Sequence, residues 1–125
     1  MTYAAVALQL AARSVERCPD RAAARQQMLA IIGEIDAKIM GARIFIQQYG
    51  GAPVKLVVLP EYVLTSYPGR ISIPEFAEKA ALEIGGAEYE AMGGIAQRQQ
   101  IHLSGNAYEI DPHFPGLYFQ TSFVI

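Results

Sequence analysis

The sequence predicts a layered α/β fold in which helices flank a β-sheet. Short apolar runs typical of strands alternate along the chain with longer segments of helical periodicity. Clusters of glycine and proline separate these segments. The chain has 125 residues, a length that fits one domain or part of one. We therefore interpret residues 1–125 as one domain or part of one.

The first half of the chain predicts a strand, a long helix and a second strand. Residues 3–10 are apolar and predict a short, mostly buried strand. Asp20 is a suitable N-cap for a long helix, and the helix is predicted to end at residues 50–53, which contain two glycines and a proline. Residues 54–59 are continuously aliphatic apart from one lysine, which favours a strand buried on both faces. One apolar stripe of the helix recurs at steps of three and four and predicts packing against the sheet: Met28, Ile32, Ile35, Ile39, Ala42 and Ile46.

The second half predicts a loop, two helices and two strands. The loop spans residues 61–74, where prolines and a glycine interrupt any periodicity. The other elements are helices at 75–83 and 87–100, a strand at 101–107, a turn at 111–116 and a strand at 117–125. The last strand is apolar up to Ile125, and a terminal carboxylate beside a core strand is costly. We therefore expect that the chain is incomplete, or that another segment completes its core.

Composition excludes several classes of protein. Ten Lys and Arg stand against twelve Asp and Glu without a basic block, so no nucleic-acid partner is predicted. No apolar run reaches the ~18–20 residues of a membrane helix, and no basic residue precedes residues 3–10 as in a signal peptide. The one cysteine, Cys18, cannot close an intrachain disulfide, which favours a reducing compartment. We expect a cytoplasmic protein.

Glu61 is the strongest candidate for a chemical role. It follows the strand predicted at residues 54–59, at the carboxyl end where open α/β sheets place reactive groups. The apolar neighbours Leu59 and Pro60 would hold the carboxyl group partly away from water, which suits a group that transfers protons. From position alone, a solvated glutamate that begins a loop is an equal alternative.

The other polar residues carry weaker signals. His102, Asp111 and His113 match no standard pattern of metal ligands, so we predict neither a metal nor a cofactor. Tyr62 and Tyr67 could line a pocket entrance near Glu61, and packing of the loop is the equal alternative.

Several stretches resemble the nitrilase superfamily of carbon–nitrogen hydrolases. The central one is Val57-Val58-Leu59-Pro60-Glu61, followed by Tyr67-Pro68-Gly69. Residues 6–9, 95–109 and 118–125 are similar to strands and a helix of that family, in the family's order. Gln120 stands where the family usually has asparagine. The resemblance covers nearly the whole chain and implies that residues 1–125 are the N-terminal part of a single domain.

The resemblance implies a fold, a chemistry and a partner. The fold would be part of an α-β-β-α sandwich, usually paired through helix faces, so a homo-oligomer is expected. The reaction would be hydrolysis of a nonpeptide C–N bond in a small-molecule nitrile, amide or carbamoyl compound. Its mechanism uses Glu as general base, Cys as nucleophile and Lys to stabilise charge. Glu61 matches the base, and Tyr62 and Tyr67 become candidates for substrate binding.

The lysine and cysteine of that mechanism have no matching positions in this sequence. The family places both after the strand that ends here, and Cys18 matches no nucleophile motif. We therefore expect residues 1–125 alone to be inactive. A noncatalytic fragment or degenerate homologue that acts as an interaction module is the first alternative, and an unrelated α/β domain that binds a small molecule is the second. A reading frame that continues past Ile125 to a lysine and a cysteine would favour the enzyme.

Overall fold

The computed structural model describes residues 2–125 and confirms the layered α/β class. Strands and helices alternate through most of the chain, and the last two strands follow each other directly. The elements are β1 (Ala4–Ala7), α1 (Arg21–Gly50), β2 (Val54–Val58), α2 (Ile73–Ala80), β3 (Leu82–Glu83), α3 (Ala87–Gln99), β4 (His102–Ile110) and β5 (Phe119–Val124).

The five strands form one mixed sheet around β4. Strands β1, β2 and β4 are parallel neighbours, β3 is parallel to β4, and β5 is antiparallel to β4. Ser104 pairs with Val58 of β2 and with Val124 of β5, so β2 and β5 lie on opposite edges of β4. Glu109 pairs with both β3 and β5 in the same way. Strands β2 and β3 therefore share one edge of β4, and β5 occupies the other.

Helix α1 forms where the sequence predicts it. The Asp20 carboxylate accepts a hydrogen bond from the Ala23 amide at 2.8 Å, which satisfies one of the free N–H groups of the first turn. Gly51 ends the helix in the left-handed region, at φ 69°. Four members of the predicted apolar stripe are buried and two are half-buried, so the stripe is confirmed as the packing face: Met28, Ile32, Ile35, Ile39, Ala42 and Ile46.

Helices cover one face of the sheet, and residues 2–125 leave much of the opposite face uncovered. Val57 is buried under the helices, whereas its neighbour Val58 is 39% exposed on the opposite face. The expectation that residues 54–59 are buried on both faces is therefore wrong for the described part of the chain. We call the uncovered side the open face of the sheet.

The two outer strands show the same asymmetry. In β1, Val6 is half-buried while Ala5 and Ala7 are exposed. In β5, Phe123 packs against the core while Val124 is 70% exposed. The strands predicted at residues 3–10 and 117–125 exist but are shorter, and neither is mostly buried. Alternation places half of their side chains on the open face.

The boundaries of α2 differ from the prediction. The helix begins at Ile73 rather than 75, because the Ser72 hydroxyl accepts from the Glu75 amide at 3.3 Å and Pro74 occupies the first turn. It ends at Ala80, since the chain then joins the sheet as β3. Strand β3 has two residues, too few for an alternating pattern, and the sequence did not reveal it.

A buried ion pair connects α1 to α3. Arg25 Nη1 donates to both carboxylate oxygens of Glu88, at 2.9 and 2.8 Å, and the Glu88 side chain is completely buried. Arg25 Nη2 donates to Glu83 at 3.1 Å, and Arg21 donates to the same carboxylate at 2.6 Å. Arg21 and Arg25 therefore balance the negative charges of two carboxylates, Glu83 at the end of β3 and Glu88 in the first turn of α3.

Candidate functional site

Glu61 lies at the carboxyl end of β2, as predicted. The Leu59 amide donates to the Ser104 carbonyl at 2.8 Å, so sheet pairing extends one residue past Val58 before Pro60 leaves the sheet. Gln120 of β5 donates from Nε2 to Glu61 Oε1 at 3.2 Å. Gln120 pairs across the sheet with Tyr108 of β4, so three strands converge on this carboxylate.

A tight turn fixes the backbone directly after Glu61. Tyr62 has φ 51°, in the left-handed region that non-glycine residues rarely adopt. Its carbonyl accepts from the Thr65 amide at 3.1 Å and from the Ser66 amide at 2.8 Å. The Thr65 carbonyl in turn accepts from Val15 at 3.1 Å. Since both ends of the turn are held, the main chain at Glu61 is already positioned.

Aromatic rings form a wall beside the carboxylate. The Tyr62 ring stacks on Tyr108 with centroids 4.4 Å apart and planes within 5°. Phe76 and Tyr118 meet Tyr108 edge-on at 4.9 and 5.6 Å. Burial, the Tyr62 hydroxyl and, to a lesser degree, the Glu61 charge raise the pKa of Tyr108, so its hydroxyl stays neutral at physiological pH.

The sequence indicated Tyr62 but not the rest of this aromatic cluster. Tyr108 and Tyr118 lie in and beside the β4–β5 hairpin, and Phe76 lies in α2. Their meeting depends on strand register and on how α2 packs, which no local pattern of the sequence encodes. The strand predicted at residues 101–107 in fact continues to Ile110. With that extension, the alternation of side chains along β4 would have predicted which face of the sheet carries Tyr108.

The carboxyl group of Glu61 is exposed, contrary to the expectation that it would be half-buried. The reason is its place at the rim of the open face, which the described residues leave uncovered. A cavity of about 690 Å³ lies instead at the β4–β5 turn, between Ile84, Phe114 and Leu117. Glu61 is not among the residues that line it.

Tyr67 does not join the aromatic wall. Its side chain is 71% exposed. The loop that carries it is nevertheless anchored, since the Arg70 amide donates to Glu16 at 3.0 Å. Gly69 has φ 69° and lies so close to the Glu16 carboxylate that a Cβ would overlap it. The positive φ explains the glycine of the Tyr67-Pro68-Gly69 element.

The remaining candidate residues lie apart from Glu61. Cys18 contacts Gln27 at 3.8 Å, ahead of α1. His113 and Asp111 meet at 2.8 Å in the β4–β5 turn, where hydrogen bonds from His113 lower the pKa of Asp111. Within residues 2–125, no three His, Cys, Asp or Glu side chains converge on a possible metal position. No helix in this part of the chain has the length and apolar character to cross a membrane.

Fold and site together define an α/β protein with a carboxylate at the carboxyl end of a parallel strand in a mixed sheet. A model of the carbon–nitrogen hydrolase family matches residues 4–125. The chain therefore belongs to the carbon–nitrogen hydrolase family, and the resemblance seen in its motifs is confirmed. A search of curated proteins found no match. The hypothesis of an unrelated α/β domain is wrong.

Proposed function

We propose that Glu61 is the general base of a hydrolase that cleaves a nonpeptide C–N bond in a nitrile or an amide. One observation carries the proposal. The sequence has one Leu-Pro-Glu element, and it lies within residues 4–125, which the family model matches. The element ends at the Glu61 carboxylate, which a hydrogen bond from Gln120 and the tight turn that follows hold in place. Such positioning is what a proton-transfer group requires.

The proposed chemistry proceeds in two steps for an amide. Glu61 accepts the proton of a cysteine thiol as sulfur bonds to the carbonyl carbon, and the amine leaves with that proton to give a thioester. Glu61 then takes a proton from water as the water attacks the thioester, and the proton returns to the sulfur that departs. A lysine stabilises the negative charge that develops on oxygen. We assign neither the cysteine nor the lysine to any of residues 1–125.

We further propose that Tyr62 and Tyr67 contact the substrate. Tyr62 contributes the apolar ring nearest to Glu61 along the chain, and its stacking on Tyr108 fixes the orientation of that ring. An aromatic wall next to a single carboxylate suits an uncharged nitrile or amide better than an anionic substrate. Tyr67 would act at the entrance, where its exposed ring is free to meet a ligand. A cytoplasmic location, supported by the lone Cys18, belongs to the same proposal.

The proposal is tested by turnover on a panel of nitriles, amides and N-carbamoyl compounds. Nitriles and amides should release a carboxylic acid with ammonia or an amine, and N-carbamoyl compounds should release an amine, carbon dioxide and ammonia. A protein that joins residues 1–125 to the lysine and cysteine of the family's mechanism, here called the complete protein, should turn over at least one class. Residues 1–125 alone should turn over none, because the nucleophile is not among them. Turnover by residues 1–125 alone would contradict the proposed mechanism.

Gln120 offers a test of how Glu61 is held. Replacing Gln120 with Leu removes the donor at similar size, and we expect kcat of the complete protein to fall about tenfold, the scale of one hydrogen bond to a charged group, with little change in KM. Gln120→Asn keeps an amide and should recover part of the loss. Ser122→Ala, two residues along on the same face, is the control and should leave kcat unchanged. Equal kcat for all three variants would mean that Gln120 does not position Glu61.

A noncatalytic interaction module is the second candidate. The exposure of Glu61 favours it, because a carboxylate in water is a weak base for a thiol. The intact mass of the purified protein separates the two candidates. A mass well above that of residues 1–125 supports the hydrolase, because the lysine and the cysteine require additional chain, and the mass of residues 1–125 alone supports the module.

A further inference from the structure

Asn106 of β4 carries a buried oxygen that accepts no hydrogen bond from the described chain. Among residues 2–125, its Oδ1 is the one buried side-chain oxygen or nitrogen that has no hydrogen-bond partner. Such an acceptor is costly, because burial removes its bond to water and no protein donor replaces that bond. Native proteins keep few atoms of this kind, so the position of this one is informative.

Asn106 lies on the open face of the sheet, close to Gln120. Ser104 of β4 pairs with Val58, which is exposed on that face. Because side chains alternate along a strand, Asn106 points to the same face as Ser104. Asn106 pairs with Ser122 of β5, and Gln120 is two residues from Ser122 on that strand. Diagonal neighbours of this kind lie about 7–8 Å apart, so one small ligand can contact both amides.

The hydrogen bond from Gln120 to Glu61 crosses over β4 beside Asn106. Glu61 follows β2 and Gln120 lies in β5, and these two strands occupy opposite edges of β4. The last bond between β2 and β4 joins the Leu59 amide to the Ser104 carbonyl. Glu61 is two residues beyond Leu59, and Asn106 is two residues beyond Ser104. The carboxylate and the unpaired oxygen are therefore neighbours on the same face.

We propose that Asn106 Oδ1 accepts a hydrogen bond from an N–H group of the substrate, and that Asn106 thereby selects primary amides and N-carbamoyl compounds over nitriles. This inference rests on the proposed hydrolase function and names the substrate class within it. The NH2 group of an amide or a carbamoyl group has two hydrogens to donate, whereas a nitrile nitrogen has none. A bound amide supplies the partner that Oδ1 lacks, and a nitrile leaves that oxygen unpaired.

The proposed reaction places the substrate nitrogen at this position. The leaving amine departs with the proton that Glu61 takes from the thiol, so the nitrogen must lie next to the Glu61 carboxylate. An ionised carboxylate is also an acceptor without a hydrogen to donate. Glu61 and Asn106 therefore present two acceptors side by side, and the two N–H bonds of an NH2 group can meet both.

Dissociation constants measure this selectivity without turnover. Isothermal titration calorimetry is performed on the complete protein with the cysteine of the family's mechanism replaced by alanine. The ligands are two matched pairs, acetamide with acetonitrile and benzamide with benzonitrile. With asparagine at position 106, the amide should bind more tightly than the nitrile in at least one pair. Asn106→Leu should weaken binding of that amide about tenfold, the scale of one hydrogen bond, and leave binding of the nitrile unchanged.

Two further variants separate the acceptor from the shape of the side chain. Asn106→Asp keeps an acceptor oxygen at the same position, so the preference for the amide should survive. Ser104→Ala removes a hydroxyl group two residues away on the same face and should change neither dissociation constant. Circular dichroism should show the same fold for all variants. A smaller preference for the amide in Asn106→Asp, equal to that of Asn106→Leu, overturns the role of the acceptor.

The outcomes distinguish this inference from the proposed hydrolase. If Asn106→Leu weakens amide and nitrile equally, Asn106 has a structural role and the inference is overturned. It is also overturned if neither amide binds more tightly than its nitrile when position 106 is asparagine. If the complete protein with its cysteine intact binds amides through Asn106 but hydrolyses none of the panel, the contact stands and the hydrolase is refuted.

Discussion

Glu61→Gln is expected to lower kcat of the complete protein by about 10²–10⁴-fold, the usual contribution of a general base. The substitution keeps the size of the side chain and its capacity to accept a hydrogen bond from Gln120, but it removes the capacity to accept a proton. Because Glu61 is exposed and the turn after it is held by main-chain bonds, the fold should be unaffected. KM should change little, since the loss falls on the transition state.

The matched control is Glu78→Gln, which removes one carboxylate from an exposed position of α2. Its kcat should equal that of the wild type. If Glu61→Gln and Glu78→Gln retain equal activity, the base lies elsewhere and the role of Glu61 is refuted. A loss confined to KM would make Glu61 a binding residue instead of a base.

Arg25→Ala is expected to destabilise the protein by about 3 kcal/mol or more. The reason is the complete burial of Glu88, whose two oxygens accept from Arg25. Removal of the arginine leaves a buried carboxylate without its cation, which costs far more than an exposed ion pair contributes. Urea unfolding followed by circular dichroism should show a lower midpoint with an unchanged slope.

Arg13→Ala provides the control for this comparison. Arg13 also makes two bonds to one carboxylate, that of Glu34, but both partners are about half exposed. The expected loss is below about 1 kcal/mol. A double variant, Arg25→Met with Glu88→Leu, should recover much of the stability by replacing the pair with apolar packing. Equal losses for Arg25→Ala and Arg13→Ala would show that burial of Glu88 does not govern the effect.

The elements that the sequence predicted best are those with strong local signals. Helix α1 has a capping aspartate, a regular apolar stripe and a terminal glycine, and each of these depends on nearby residues. The start of α2 was misplaced because Pro74 signals a loop and a first helical turn equally well. Strand β3 was missed because two residues carry no periodicity, and only its pairing with β4 defines it.

Burial was the least predictable property. An aliphatic run such as residues 54–59 indicates a strand but does not reveal which of its faces another layer covers. The run predicted that Val58 would be buried, but no second layer of the described residues covers it and its side chain is exposed. In the site, Glu61 was found from its place after β2, whereas its contact with Gln120 depends on the register between β4 and β5. Long-range register is not encoded in any short segment of sequence.

The most direct test of the proposed base isolates the step in which the thiol is acylated. Rapid mixing of the complete protein with an amide or nitrile, followed by acid quench and mass spectrometry, measures the rate at which the covalent adduct on cysteine forms. We predict that Glu61→Gln slows adduct formation by the same factor as kcat/KM. Adduct formation at the wild-type rate in Glu61→Gln would contradict the assignment of Glu61 as the base that activates the thiol.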